Sequence, residues 1–453
     1  MKIAIVGAGF VGLTQGAVFA DIGHKVICVD CLEEKIEKLE NFCKGKGEFI
    51  IYEPRLPELV KRNYEKGNLK FTTNLEDAVK KSKVIFITVG TPPKKDGSAD
   101  LTFVINVAKE IGEAMNYKEN VYKVIAIKST VPVGTHKIVK KVIAKKTKNK
   151  FDVVSNPEFL AEGTAVENCF KPSRIVIGTE SKKAAKIMVE LYQQFVEQGH
   201  PIFIMDNTSA EIVKYASNAY LASQIVLTNI FANLARESGG DWSKIKKAVR
   251  ADERIGKFVH DGLGFGGSCF KKDMEQLICT LKEYNLNSQV LEEMLKSNKE
   301  QKLIMNKKMK DYFGSLENRV FAVWGLSFKP ETSDMRDAAS IDVVKDLLKN
   351  GAKVKVYDPA ALEEAKLVFS NDKEIKKYKE RVEYCNDKYV CVEGCDALII
   401  TVEWNEFKNP DYKMLIKNMK TPVVFDGKDI LKISDVKKNR IVYFSVGRSL
   451  SKN

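Results

Sequence analysis

The 453-residue sequence contains no run of the ~18 to 20 consecutive apolar residues that a membrane span requires. Its opening Met1-Lys2 leads directly into a structured motif, with no signal-peptide pattern, so a cytoplasmic chain without membrane association is expected. Glycine and proline are sparse, at 28 and 12 residues, which excludes collagen-like, low-complexity and broadly disordered classes. Only four histidines occur, His24, His136, His200 and His260, and none has sequence neighbours that suggest metal or acid/base work. No metal site is expected. Arginine is scarce as well, 11 of the 74 basic residues. The net charge of +14 could attract nucleic acid, anionic lipid or a phosphorylated small molecule. The lysines, however, lie in scattered amphipathic runs such as Lys137 to Lys150, without the aromatic interleaving of an RNA-binding sheet, so a nucleic-acid partner is not expected. Nine cysteines make an odd number, and Cys28-x-x-Cys31 has no second pair at zinc spacing, so free thiols are expected.

What is present is a strong α/β pattern on a length that suits two or three domains. The apolar run Lys2 to Gly7 enters Gly7-Ala8-Gly9-Phe10-Val11-Gly12, the segment Leu13 to Ile22 reads as a helix, and a second strand, Lys25 to Val29, ends at Asp30. This is a βαβ start with a G-x-G-x-x-G turn in its required context. Gly7 makes the tight turn, Gly9 lets a pyrophosphate approach the backbone, and Gly12 allows close helix-to-strand packing. Asp30 can accept from a ribose 2′-hydroxyl and would repel a 2′-phosphate, so NAD is expected rather than NADP. Apolar runs at Val84 to Val89, Val124 to Ile127, Phe151 to Ser155, Ile175 to Ile177 and Ile202 to Met205 extend a doubly wound sheet. From Thr208 to about Glu237 one long helix carries apolar residues on several faces, which predicts either a domain-joining core or a subunit interface. Arg319 to Gly325 and Ala352 to Asp358 then repeat the opening pattern. Gly325-Leu326-Ser327-Phe328-Lys329-Pro330 replaces the glycine turn, so a second Rossmann-like domain is expected, one that no longer takes a dinucleotide in the usual way.

Gly262 to Asp273 is the segment richest in chemistry. If Ser268 caps a helix beginning near Cys269, the thiol lies in the positive field of the helix N-terminus, with Lys271 and Lys272 nearby, and its pKa should fall toward a reactive thiolate. Asp273, four residues on, projects from the same face. Lys214 and Asn218 are also four apart on the long helix and point at one spot. Asn156-Pro157-Glu158 reads as an N-cap and N1 proline, placing Glu158 and Glu162 in the first turns of a helix. Lys128-Ser129-Thr130 places hydroxyls at the carboxyl end of a strand, where open α/β sheets bind ligands.

In order along the chain, Gly7 to Gly12, Val89-Gly90-Thr91-Pro92, Lys128 to Pro132, Asn156 to Gly163, Phe265 to Asp273 and Gly325 to Lys329 match motifs of the UDP-glucose/GDP-mannose dehydrogenase family, which essentially the whole chain resembles. The resemblance implies two Rossmann-like doubly wound domains joined by a long central helix: an NAD-binding domain over 1–205, a helical dimerisation region over 206–315 and a UDP-sugar domain over 316–453. It implies Cys269 as catalytic thiol with Asp273 as partner acid, Lys214 and Asn218 as the pair facing the sugar C6 oxygen, Glu158 in the hydrolytic step and Thr130 positioning water. NAD would meet Gly7, Gly9, Phe10, Val11, Gly12, Asp30, Lys35, Thr91, Thr130 and Glu162. The sugar nucleotide would meet Phe159, Leu160, Lys214, Asn218, Phe265, Gly266, Phe328, Lys329 and Lys428, with Arg254 reaching it from a partner subunit. The implied reaction is four-electron oxidation of UDP-glucose at C6 through a thiohemiacetal and a thioester, hydrolysed with help from Glu158 or Asp273, in a homodimer or higher oligomer. GDP-mannose or a UDP-N-acetylhexosamine is the alternative substrate. Two positions depart from the family pattern: Arg55 replaces the usual Gly, and Lys428 stands where many members carry Arg, keeping charge but losing the guanidinium fork.

Overall fold

The computed structural model describes residues 1–256 and 258–448. It divides into two compact units: Met1–Ser217 with Glu275–Leu286, and Asn218–Met274 with the chain from Asn287 onward.

The first unit is built on strands β1 (Lys2–Val6), β2 (Lys25–Val29), β3 (Leu69–Thr72), β4 (Val84–Ile87), β5 (Tyr122–Ile127), β6 (Lys150–Ser155), β7 (Ile175–Gly178) and β8 (Ile202–Met205). They form one sheet in the order β3-β2-β1-β4-β5-β6-β7-β8, parallel except where β7 runs against β6. β1 and β4 are apolar almost throughout and buried on both faces, the pattern a parallel strand covered by helices on both sides demands. Strand order reverses between β1 and β4, so the crevice for a ligand opens at their carboxyl ends. β3 was not among the expected strands; at four residues its apolar content is too slight to stand out.

The second unit repeats the topology. Strands β9 (Val320–Trp324), β10 (Lys353–Tyr357), β11 (Val382–Tyr384), β12 (Ala397–Ile400), β13 (Val423–Asp426) and β14 (Val442–Ser445) form an all-parallel sheet ordered β11-β10-β9-β12-β13-β14. The chain is thus an α/β protein with two Rossmann-like doubly wound domains. A long helix, Asn207–Ser238, passes from one unit into the other. Ala222, Val226, Ala232 and Ala235 on it are buried, whereas Tyr220, Leu227, Ile230, Phe231 and Leu234 are exposed. Its apolar surface therefore exceeds what this single chain covers. Among the described residues no helix is long and apolar enough to cross a membrane.

Two local expectations are corrected. Residues 156–163 are not helical, and the helix begins only at Ala165. Asn156 cannot cap because its side chain is already engaged: Nδ2 donates to the Val176 carbonyl at 2.7 Å, and Oδ1 accepts from the Tyr192 hydroxyl at 2.7 Å. The helix start is instead served by Glu53, whose carboxylate accepts from the Gly163 amide at 2.6 Å and the Ala165 amide at 2.7 Å. Second, the helix after the glycine loop spans Phe270–Glu283, so Cys269, rather than Ser268, stands at the position just before it. The Cys269 carbonyl accepts the first intrahelical bond, from Asp273 N at 2.8 Å.

Arg55, the first departure from the family pattern, sits at φ +68°, directly before the helix Leu56–Glu65. That is left-handed backbone, costing a residue with a Cβ about 1–2 kcal/mol, whereas glycine adopts it freely. Glycine's greater freedom in the unfolded chain returns part of this, leaving a net gain of about 0.5–1 kcal/mol. Arg55→Gly should therefore raise the thermal midpoint by about 1–3 °C, read by calorimetry; an unchanged or lowered midpoint would refute the strain.

Candidate active site

At the carboxyl end of β1 the turn enters the helix Phe10–Asp21 with Gly9 as its N-cap. Phe10, Val11 and Gly12 form its first turn, whose free amides and helix dipole suit an anion. A Cβ on Gly12 would lie 2.0 Å from the Gly7 carbonyl oxygen, so only glycine permits this helix-to-strand approach. A Cβ on Gly9 would meet nothing within 4 Å, which leaves the backbone open to a pyrophosphate. Asp30, buried at the end of β2, is held in place: Oδ2 accepts from the Ala8 amide at 3.0 Å and from Lys35 at 2.7 Å, and Oδ1 from the Leu32 amide at 3.2 Å. A pocket beside it is lined by Gly9, Phe10, Leu32, Lys35, Ile50 and Ile51. Apolar walls next to a carboxylate at the ribose position fit the adenosine half of NAD. At the ends of β4 and β5, the Thr91 hydroxyl donates to the Thr130 carbonyl at 2.8 Å, tying those two loops together.

Within the same unit lies a buried ion pair. Lys214 Nζ donates to Glu158 Oε1 at 2.7 Å and to the Glu158 carbonyl at 2.8 Å. Burial alone would push the Glu158 carboxyl up, but the Lys214 ammonium, together with the Leu160 amide donating at 2.6 Å, outweighs it and holds the group below the usual carboxylate range. Removing one partner would strand the other as a buried charge, at a cost of about 3–5 kcal/mol. Phe159 packs under the Arg174 guanidinium, 3.7 Å from its ring centre, and Leu160 is half-buried. Glu162 lies in the same loop, just ahead of Gly163.

The second unit holds the thiol. Cys269 is exposed, at the positive end of a 14-residue helix, and the Ser268 hydroxyl lies 3.4 Å from its sulfur. One turn on, Asp273 is 1% exposed and receives Asn218 Nδ2 at 2.6 Å and Lys272 Nζ at 2.8 Å. The glycine loop is pinned by Asn298, which accepts from the Phe265 amide at 2.7 Å and donates to the Phe265 carbonyl at 3.0 Å. The Phe265 side chain is itself buried among Ala222, Val226 and Met274. A Cβ on Gly266 would lie 2.5 Å from the Asp337 carbonyl oxygen, and one on Gly267 2.8 Å from the Phe328 ring; bulk is excluded along this stretch. Lys329 lies beside Phe328, with its ammonium 5.5 Å from the ring centre. Lys428 is paired with Glu403 at 2.9 Å, and Arg254 is exposed, forked onto Asp252.

Glu53, Asn298 and Glu403 were not singled out from the sequence, although each fixes a loop or side chain that was. Glu53 was within reach of sequence reading, two residues before Arg55, where the family pattern is broken. The others carried no local signal. All nine cysteines are free thiols.

Residues 1–196 match the NAD binding domain of the UDP-glucose/GDP-mannose dehydrogenase family, 208–300 its central domain and 322–433 its UDP binding domain. A UDP-glucose 6-dehydrogenase of Bacillus subtilis is 41% identical over 450 residues, covering 99% of this chain and 93% of that protein. One from Rhizobium meliloti is 40% identical over 455 residues, covering 99% and 100%. Among solved structures, a UDP-glucose dehydrogenase from the archaeon Pyrobaculum islandicum superposes with a TM-score of 0.87 at 34% identity, covering 98% of this chain and 97% of that one. With a dinucleotide turn that fits NAD and family matches along almost its whole length, the chain belongs to the UDP-glucose/GDP-mannose dehydrogenase family and is an NAD-dependent oxidoreductase.

Proposed function

We propose that the chain oxidises the C6 hydroxymethyl of UDP-glucose to the carboxylate of UDP-glucuronate, through covalent intermediates on Cys269. The observation that carries this is an exposed thiol at a helix start, one turn ahead of a buried aspartate that anchors Asn218. Full-length relatives at 35–41% identity, all UDP-glucose 6-dehydrogenases, support the choice of sugar.

The Gly7 to Gly12 turn would hold NAD, each molecule of which would accept one hydride, so that two NAD would be consumed in turn for each sugar oxidised. Lys214 and Asn218 donate to the C6 oxygen as charge builds on it; Glu158 and Asp273, their partners at rest, hold the two donors extended. The thiolate of Cys269 adds to the aldehyde left by the first hydride, giving a thiohemiacetal and keeping the aldehyde from water and from lysines. Loss of the second hydride leaves a thioester. Water then hydrolyses it, with Glu158 as base: at rest Lys214 and the Leu160 amide hold the two oxygens of Glu158, as Asn218 and Lys272 hold those of Asp273, but Glu158 also borders a cavity large enough for water. Thr130 orients that water. Phe328, Lys329 and Lys428 hold the sugar nucleotide, Arg254 reaches it from a partner subunit, and Glu162 lies toward NAD. The exposed Tyr220, Leu227, Ile230, Phe231 and Leu234 support a homodimer or higher oligomer, and nine free thiols suit the reducing cytoplasm.

Four outcomes follow. NADH release should be greatest with UDP-glucose in a panel that includes GDP-mannose and UDP-N-acetylhexosamines; preference for one of those would replace the substrate assignment. Asp30→Ala should weaken NAD and narrow the gap to NADP, measured by cofactor titration, and equal use of NADP by the parent protein would contradict the role of Asp30. Sedimentation should return at least a dimer, and a monomer at working concentration would remove the interface. Cys269→Ala should bind UDP-glucose and NAD almost unchanged while product formation falls by a factor of about 10² or more. Near-parental turnover in that variant would eliminate the covalent route.

A further inference from the structure

A cavity of about 140 Å³ lies behind Glu158 in the first unit, and Lys128, Asn156, Cys169, Tyr192 and Gln15 line it together with Glu158. Lys171, Arg174 and apolar groups such as Phe159 and Phe195 complete its wall, which is about half polar, and it is large enough to hold water. Lys128, just past the end of β5, is 4% exposed, yet among the described residues its ammonium has only neutral partners: it donates to Asn156 Oδ1 at 3.2 Å and the Tyr192 hydroxyl at 3.5 Å and lies 5.9 Å from the Phe86 ring centre. Both hydrogen bonds are long for a charged donor. A second buried lysine shows what a purely structural one looks like. Lys123 Nζ donates to three backbone carbonyls, those of Val79 at 2.7 Å, Ser82 at 2.5 Å and Lys80 at 3.3 Å, and lines no part of this cavity. Lys128 is under-satisfied and faces a polar space shared with the carboxylate assigned to hydrolysis.

We propose that Lys128 is the proton acceptor behind Glu158, receiving through cavity water the proton that Glu158 takes up during thioester hydrolysis. This rests on the assignment of hydrolysis to Glu158. The water oxygen bonds to the thioester carbon as the carbon–sulfur bond breaks. One water proton passes to Glu158 and on to the neutral Lys128 amine, and the second, released as the new acid ionises, returns to the Cys269 thiolate. No oxidant or reductant is needed. Lys128 acts through Glu158 and touches neither substrate nor cofactor.

The groups facing Lys128 leave it as the one acceptor that changes state near neutral pH. Burial pushes its amine down to about 8, whereas burial pushes the Cys169 thiol up to about 12 and the Tyr192 hydroxyl up as well. Glu158 is held low by Lys214, which donates to it at rest. An amine accepts only when neutral, so hydrolysis should speed up as pH rises through about 8, roughly tenfold between pH 7 and 9.

The test follows radiolabelled sugar held covalently on acid-quenched full-length protein after mixing with UDP-glucose and excess NAD. In the parent the label should decay about tenfold faster at pH 9 than at pH 7, after two NADH per site. Lys128→Met should form the thioester at the parental rate but lose the rise, and Lys128→Arg, permanently charged, should be equally flat. Lys123→Met should retain the rise. Three results would each overturn the relay: a pH-independent decay in the parent, a preserved rise in Lys128→Met, or recovery in Lys128→Arg, which would mean that charge alone is needed. The first requires no variant to fold. The underlying assignment is read separately with Glu158→Gln, which should retain label at every pH; parental decay in that variant would show that Glu158 is not the base.

Discussion

Removing a carboxylate from water is costly unless donors meet it, and in this protein the catalytic and binding loops are shaped by that requirement. Glu158 draws in Lys214 and the Leu160 amide, which fixes the backbone on either side of Phe159. Asp273 collects Asn218 and Lys272, fixing the direction of a side chain on the long helix from a residue one turn past the thiol. Glu53 gathers the amides of Gly163 and Ala165 and so starts a helix from a distant loop. Glu211 does the same for the Gly134 and His136 amides after β5. Each acid is a local anchor, and the reactive geometry follows from where the anchors sit.

The two sheets show how one topology diverges. In both, the acid that ends the second strand turns back to the amides of the turn after the first. Asp30 takes only the Ala8 amide from that turn, and an open approach to the backbone remains at Gly9. Asp358 takes the Leu326 and Ser327 amides at 2.6 and 3.2 Å and also the Trp404 indole at 3.2 Å, so its oxygen is saturated. Ser327 and Pro330 also replace the second and third glycines. The second sheet therefore keeps the strand order without the three-glycine turn of the first.

Most of the strands, the Gly7 to Gly12 turn and the long helix were legible because their signals are local: apolar runs, glycine spacing, 3.6-residue periodicity; the short β3, β11 and β14 were not. Within the candidate sites, the placement of Cys269 and Asp273 on consecutive turns was legible for the same reason. The segment from Asn156 to Glu162 misled. Asn-Pro-Glu is a sound helix start by propensity, but Tyr192, 36 residues away, and the Val176 carbonyl claim the Asn156 side chain, and tertiary bonds override a capping preference worth about 1 kcal/mol. Arg55 was recognised as unusual from the sequence, but its reason, a positive φ, is a property of the folded backbone.

The order of residues thus established the family motifs and the α/β class and singled out the candidate reactive groups, since each depends on spacings of a few residues. Which donor each buried carboxylate would take, that Glu53 would serve a helix 112 residues on, and that Lys128 would border the same cavity as Glu158 were settled only by folding. A buried charge is satisfied by whatever polar group the packed chain brings within about 3 Å, and local spacing carries no record of that neighbour.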